Sequence, residues 1–168
     1  MTDKKLKSYR DKIDKIDKEI YALIQKRASH AVAIGKIKSK VSPKESFYKP
    51  DRETKILRNI LNANKKGLLP DSKIRAIYKE LISGCLSLEE ILKVAYLGPE
   101  ATHSEAAVHN QFGSQALRIP TSTIDDVFYQ VINDDVNLGV VPVENSSEGV
   151  INTTLNCLAD SKDINIIG

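Results

Sequence analysis

The amino-terminal half of the sequence carries cations at separations that suit one long helix. Arg10, Arg27 and Lys38 are separated by 16 and then 10 residues, and the pair Arg52 and Glu53 follows. On a helix, Arg27 and Lys38 lie within about 20° of each other and roughly 16 Å apart along the axis. Two long cationic side chains at this separation can together bind a small dianion. The spacing therefore predicts a site for a compound with two negative groups.

Arg10 stands apart from this pair. It precedes Arg27 by 17 residues, which on one helix is roughly 25 Å away and about 100° around the axis. Arg10 therefore cannot reach the same ligand from the same chain. If it takes part in the site, it comes from a second copy. Taken singly, each of these cations is better interpreted as an exposed surface residue than as a ligand contact.

An apolar seam indicates the helix that positions these cations. The seam repeats every seven residues and predicts an amphipathic helix to about Ser39; its members are Leu6, Ile13 and Ile20 in one row and Tyr9, Ile16 and Leu23 in the other. The same count continues to Arg27 and His30, and an arginine in a packed interface needs an anionic partner. Gly35 allows another backbone or a ligand to approach closely.

Two further helices are predicted in this half. A loop with two prolines spans residues 41–50, after which Asp51 can cap a helix to about Ala63. A third helix runs from Pro70 to about residue 92. Three helices of such unequal length leave much of the first seam exposed, so we expect a homodimer in which a second copy covers it.

The two halves of the chain differ in charge and pattern. Residues 1–93 carry 23 Lys and Arg against 12 Asp and Glu, a net charge of +11, whereas residues 94–168 carry 2 against 10, a net charge of −8. This asymmetry predicts an all-α domain over residues 1–92 and an α/β domain over residues 93–168. In the second domain, strands are predicted at 94–97, 117–119, 138–143 and 164–167, with helices starting near Thr102, Thr123 and Val150.

Composition excludes several classes of protein. No apolar stretch approaches the roughly 18 residues of a membrane span, and no apolar segment follows the charged amino terminus, so we expect a cytoplasmic protein without a membrane partner. Cys85 and Cys157 stand singly in apolar patterns, which favours reduced, buried thiols over a disulfide or a metal site. Aromatic residues make up only 5%, which leaves few stacking platforms for nucleic acid.

The strings YRDKIDKID, KRASHAVAIGKIK, PDRE and CLSLEE together resemble the all-helical chorismate mutase family over about 85 residues. The resemblance implies an interlocked dimer whose sites each borrow one arginine, and no metal or cofactor. It implies that Arg27 and the partner's Arg10 bind carboxylates of chorismate, and that Lys38 contacts a carboxylate and the ether oxygen. It also implies that Glu53 takes the ring hydroxyl and Arg52 organises the site.

The last two positions that the mutase resemblance assigns to the substrate are Glu89 and Cys85. Glu89 would donate a second hydrogen bond to the ether oxygen, which a carboxyl group does only when protonated. Activity should therefore fall as pH rises. Cys85 stands where one well-known form has a hydroxyl, and Lys49 where that form has an acid near the ring hydroxyl.

The strings YLGPEATHSEAA and VVPVENSSEGVINTTL resemble the start of prephenate dehydratase, so the whole chain resembles the amino-terminal part of a bifunctional chorismate mutase/prephenate dehydratase. The resemblance implies that Thr102, Ser104, Asn145 and Ser146 line a prephenate cleft. The family has its catalytic TRF segment, second lobe and phenylalanine-sensing domain downstream. We therefore expect an incomplete α/β lobe that ends on the apolar run INIIG, and no dehydration by these 168 residues.

Two other interpretations remain open at this stage. The first is a basic helical module that binds nucleic acid or a protein partner, which the net charge of +11 allows. The second is a chorismate-binding protein without catalysis, in which Lys49 and Cys85 have removed the chemistry.

Overall fold

The structure, a computed structural model, describes residues 2–41, 48–146, 149–162 and 164–167. Its amino-terminal half holds three helices: α1 (Thr2–Val41), α2 (Pro50–Ala63) and α3 (Asp71–Leu86). The predicted first helix is confirmed, and α3 packs against both α1 and α2. Most of the predicted loop at residues 41–50 lies outside the described residues.

The amino-terminal part of α1 projects from the rest of the chain. Every residue from 3 to 26 is exposed, including all six members of the apolar seam. Contact with α3 begins only near Arg27 and Ala31. Within one chain the seam is therefore a formed but uncovered surface, and at 1.5 Å per residue its 24 residues extend for roughly 36 Å.

Two helix boundaries differ from the prediction. Asp51 does not cap α2: the cap position is Lys49, and Asp51 lies in the first turn, where a carboxylate still interacts favourably with the helix dipole. The third helix ends at Leu86 rather than near residue 92. It ends there because Leu92 belongs to the core of the next domain, where it packs with Val94 and Tyr96.

The carboxyl-terminal half is an α/β lobe, as predicted, and its parallel sheet has three strands. Its elements are β1 (Lys93–Leu97), α4 (His103–Phe112), β2 (Leu117–Thr121), α5 (Ile124–Ile132) and β3 (Leu138–Val140), with strand order β2-β1-β3. Alternate residues of β1 face opposite sides. Val94 and Tyr96 pack with Val108 of α4, while Ala95 packs with Val127 of α5. The two helices therefore cover the two faces of the sheet.

The rest of the lobe departs from the prediction. Residues 164–167 are not a strand; they line an apolar cavity beside β3 and α5 instead of pairing with a strand. The strand predicted at 138–143 is confirmed only to Val140. A small antiparallel hairpin of β4 (Glu144–Asn145) and β5 (Gly149–Val150) follows it, and then α6 (Asn152–Asp160). None of the described helices is long and apolar enough to cross a membrane.

A set of side-chain hydrogen bonds joins α3 to the end of α4, and we call it the α3–α4 clamp. Lys79 donates to the carbonyl oxygens of Asn110 and Gln111, where a cation meets the negative end of the helix dipole. Glu80 accepts from the backbone N–H (3.2 Å) and the hydroxyl (2.6 Å) of Ser114. Ser83 accepts from the N–H of Gln115 at 3.3 Å. The clamp fixes the lobe on the helical half.

Gly113, inside the clamp, should not tolerate a side chain. Its φ is +79°, and an added Cβ would lie 2.6 Å from Cβ of Ser83. We expect Gly113→Ala to lower the free energy of unfolding by about 1–3 kcal/mol, because both the left-handed backbone and the overlap are unfavourable. Chemical denaturation measures this. Gly84→Ala is the control: nothing lies within 4 Å of that position on α3, and it should be neutral or stabilising. Equal effects would contradict the account.

Candidate functional site

The centre of the candidate site is an ion pair between α1 and the turn after α3. Nζ of Lys38 lies 3.2 Å from Oε2 of Glu89, and both groups are partly shielded from water, with side chains 32% and 11% exposed. Shielding makes this pair stronger than one in open solvent. It also leaves a cation and a carboxylic group next to each other on one surface.

Gly35 explains how Glu89 comes so close to α1. A Cβ at this buried position would lie 3.2 Å from Cα of Glu89. The missing side chain therefore lets the turn rest on the helix one turn before Lys38. The close approach that the sequence predicted at Gly35 is confirmed.

Arg27 lies on the contact between α1 and α3 that also carries Lys38 and Glu89, and we call this contact the α1–α3 seam. Its Nη1 donates to the backbone carbonyl of Leu81 at 3.2 Å, and its side chain is half-buried. Leu81, Cys85 and Glu89 follow one another at intervals of four, so they share one face of α3 and its terminal turn. Cys85 is buried on this face. The α1–α3 seam thus brings together Arg27, Lys38, Cys85 and Glu89. Its two cations, Arg27 and Lys38, can bind and orient an anion.

The other predicted mutase residues lie elsewhere in the single chain. Arg10 is exposed on the projecting part of α1, and because α1 is one continuous helix, the separation of roughly 25 Å from Arg27 holds. Arg52 is exposed on α2. Glu53 is half-buried beside Lys79, on the side of α2 that meets the lobe. One chain does not collect all the predicted residues in one place.

Glu53 and its neighbours influence one another's pKa values. Burial raises the pKa of the Glu53 carboxyl, and the positive charge of Lys79 partly offsets the rise. Burial lowers the pKa of Lys79; Glu53 opposes this change and the neighbouring Arg75 adds to it. Burial, together with the charge of Glu53, raises the pKa of Tyr48 to about 12, although a hydrogen bond to Gln111 acts in the other direction.

Sequence reasoning missed the group of Lys79, Arg75 and Tyr48. One signal was present, because Arg75 and Lys79 are four residues apart and so share a face of α3. That spacing alone cannot tell a solvated helix face from a functional one. Only the docking of the lobe, which places the end of α4 against this face, sets the two cations apart from the other lysines and arginines.

The predicted residues of the second domain come after two neighbouring strands of the sheet. Thr102 and Ser104 follow β1, and Asn145 and Ser146 follow β3. Because β1 and β3 are parallel neighbours, their carboxyl ends share one edge of the sheet. In the order β2-β1-β3 the crevice between β1 and β3 is also where the winding of the sheet reverses, which is where open α/β sheets bind ligands.

Thr102 is held by local capping at this edge. Its hydroxyl oxygen accepts from the N–H of Glu105 at 3.5 Å, and Oε2 of Glu105 accepts from the N–H of Ala101 at 2.6 Å. Thr102 is thus the N-cap of α4, while Glu105 bonds the N–H one residue before the cap, so the reciprocal bond of a full capping box is not formed. Within the part of the chain that the structure describes, no group of three or more His, Cys, Asp or Glu side chains could hold a metal ion.

Comparisons with known proteins match each half of the chain to a different family. Residues 9–90 match the family chorismate mutase type II, and residues 94–168 match the family prephenate dehydratase. The chain is 43% identical over 166 residues to a bifunctional chorismate mutase/prephenate dehydratase of Stutzerimonas stutzeri and 46% identical over 166 residues to one of Aquifex aeolicus. Each alignment covers 97% of this chain but 45% of the relative. The chain therefore spans less than half the length of these relatives.

The similarity extends to more distant proteins with the same name. The bifunctional chorismate mutase/prephenate dehydratase of Escherichia coli strain K12 is 25% identical over 179 aligned positions, which cover 97% of this chain and 46% of that protein. In this alignment too, both halves of the chain are matched, so the two units occur together and in the same order.

Proposed function

Since this chain combines a chorismate mutase type II domain with part of a prephenate dehydratase domain, we propose that it converts chorismate to prephenate in the biosynthesis of phenylalanine. The observation that carries the proposal is the seam where Arg27, Lys38 and Glu89 lie along one contact between α1 and α3. A pericyclic rearrangement needs no nucleophile. It needs a substrate that is held in a reactive conformation and charges that match the transition state.

The residues of the seam suit these needs. We assign Arg27 to a carboxylate of chorismate, and Lys38 to a carboxylate and the ether oxygen, where negative charge grows in the transition state. Glu89 donates the second hydrogen bond to that oxygen, and the buried Cys85 lies against the substrate. When chorismate enters, its carboxylate replaces Glu89 as the partner of Lys38.

A second copy of the chain completes the site in our proposal. The exposed seam of α1 supports a homodimer, because six large apolar side chains at heptad spacing form a continuous surface that association would remove from water. In the dimer, Arg10 reaches the α1–α3 seam of the other copy and binds a substrate carboxylate there. In the same site, Glu53 is assigned to the ring hydroxyl and Arg52 to the organisation of the site.

The edge of the sheet is proposed as a second binding surface. Thr102, Ser104, Asn145 and Ser146 supply hydroxyl, amide and backbone N–H groups near the start of α4, where an anion is favourably held. We propose that this edge contacts prephenate. The chain's partners are then its own second copy and these small molecules, and not nucleic acid or membranes. The two unpaired thiols, Cys85 and Cys157, suit a reducing cytoplasm.

Incubation of the purified chain with chorismate tests the proposal. The substrate should disappear while an isomer of identical mass accumulates in equal amount, because the reaction rearranges bonds without adding or losing atoms. Nuclear magnetic resonance identifies the isomer as prephenate or as another compound. Bound but unchanged chorismate would instead support the non-catalytic interpretation.

Replacement of Glu89 by glutamine should keep the mutase active, whereas Glu89→Ala should lower kcat/KM about tenfold. The amide of glutamine can donate a hydrogen bond to the ether oxygen, and alanine cannot. Steady-state rates of chorismate consumption by the two variants measure the difference. Equal losses in both would remove Glu89 as the second donor to that oxygen.

A further inference from the structure

A cleft of about 560 Å³ lies where α2, α3 and the end of α4 meet, and we call it the junction cleft. Its polar lining consists mainly of Tyr48, Glu53, Arg58, Arg75, Lys79 and Gln111. The end of α4 forms one side of this cleft, and Lys79 holds it there through its bonds to the carbonyl oxygens of Asn110 and Gln111. A side held in this way lowers the cost of ordering the cleft around a ligand.

The lining has more positive than negative charge. Arg58, Arg75 and Lys79 face the single carboxylate of Glu53. Lys79 already bonds two carbonyl oxygens of α4, and the nearby charge of Arg75 disfavours its protonated form. Among the described residues, no carboxylate forms an ion pair with Arg58 or Arg75. An anion between these arginines would relieve the repulsion and gain two planar, carboxylate-matching donors.

The rest of the cleft suits a carbon ring. Leu57, Leu61 and Ile167 form apolar walls, and the opening continues into a second, more apolar cavity of about 800 Å³. Tyr48, Lys79, Gln111 and Ile167 line both cavities, so the two are adjacent. Tyr48 and Gln111, which are hydrogen-bonded to each other, add polar atoms to this lining. Charge at the rim and apolar surface deeper in the cleft together select a compact carboxylated ring.

We propose that the junction cleft is a binding site for a small ring-bearing dicarboxylate, held at its rim by Arg58 and Arg75. The choice of ligand rests on the proposed function, because substrate and product of the mutase are both compounds of this class. The site lies between the two units of the chain, so a molecule bound there contacts α2, α3 and the end of α4 at once.

Calorimetric titration with prephenate tests the site. The protein is the full chain carrying Arg27→Ala, Lys38→Ala, Asn145→Ala and Ser146→Ala, which removes the proposed mutase contacts on the α1–α3 seam and two proposed prephenate contacts at the edge of the sheet. Residual binding of one prephenate per chain is expected. Adding Arg58→Gln or Arg75→Gln should weaken that binding on the order of tenfold each, because each removes a charge-assisted hydrogen bond. Raising the salt concentration should also weaken it, since the rim is exposed.

Lys55→Gln on α2 and Lys73→Gln on α3 are the matched controls. Both lysines are exposed on the same helices, and neither lines the cleft. These variants should bind as tightly as the parent. No residual binding, or residual binding that survives Arg58→Gln and Arg75→Gln together, would overturn the proposal. The two proposals can fail separately. Wild-type protein that has no mutase activity but binds prephenate through Arg75 would refute the enzyme assignment and not the binding site.

Discussion

Replacing Lys38 by alanine is expected to lower kcat/KM for the conversion of chorismate to prephenate by a factor of about 10²–10³. Lys38 is the cation that our account aims at the ether oxygen, where charge develops. Its position is fixed by the 3.2 Å pair with Glu89 and by the close contact of that turn with Gly35. Because the reaction uses no nucleophile, few other groups can compensate for the loss. Steady-state rates of chorismate consumption measure the effect.

Lys36→Ala and Lys40→Ala are the controls for Lys38→Ala. Both lysines are exposed on α1, two residues to either side of Lys38, and thus point away from it around the helix. They should change kcat/KM by less than about twofold, because surface charges at a distance contribute little. If all three variants lost activity equally, general attraction of an anion by a basic helix would explain the result better than a built site.

Mixing two inactive variants should restore mutase activity, which is the second large effect that we expect. Arg10→Ala and Arg27→Ala should each remove nearly all mutase activity, because each deletes one carboxylate contact. In a mixed dimer, one of the two sites then has both arginines and the other has neither. Random exchange makes half of the dimers mixed, so about one quarter of wild-type activity should return. The separation of Arg10 from Arg27 along α1 is the structural reason for this expectation.

Subunit exchange has to be verified independently of activity. Chains with two different affinity tags, purified through both in sequence, give the mixed dimer directly and should have about half of the wild-type activity per dimer. A mixture of Arg27→Ala with Lys38→Ala is the control, because both residues belong to the same seam and no site regains both. Verified mixed dimers of Arg10→Ala and Arg27→Ala without activity would contradict the shared site.

Periodic features of the sequence predicted the fold well. The seam of α1 repeats over three heptads, and such long patterns leave little choice of structure. The two capping threonines, Thr102 and Thr123, each follow a short strand and precede a helix, so α4 and α5 begin where predicted. The strand predicted at 164–167 was wrong: these residues form no strand and are mostly exposed, although the run is apolar. Whether they pair with a strand depends on which edges of the sheet are available.

The candidate site was predictable only in part. Spacing on one helix related Arg27 to Lys38, and Gly35 indicated a close approach, but the partner that approaches, Glu89, lies 54 residues further along the chain. The environment of Glu53 was not predictable at all. Its helix could be assigned, but its neighbour Lys79 depends on the docking of the lobe through the α3–α4 clamp. Such contacts join distant segments and have no local pattern.

The most direct test of the account is the rate at which purified wild-type chain consumes chorismate, followed by absorbance beside the double variant Arg27→Ala, Lys38→Ala. Both proteins should be dialysed against a chelator and assayed without additives. The account predicts turnover by the wild-type chain far above the uncatalysed rate, with prephenate as the product, and a rate close to background for the double variant. Equal rates for the two proteins, whether both fast or both at background, would contradict the assignment of catalysis to the α1–α3 seam.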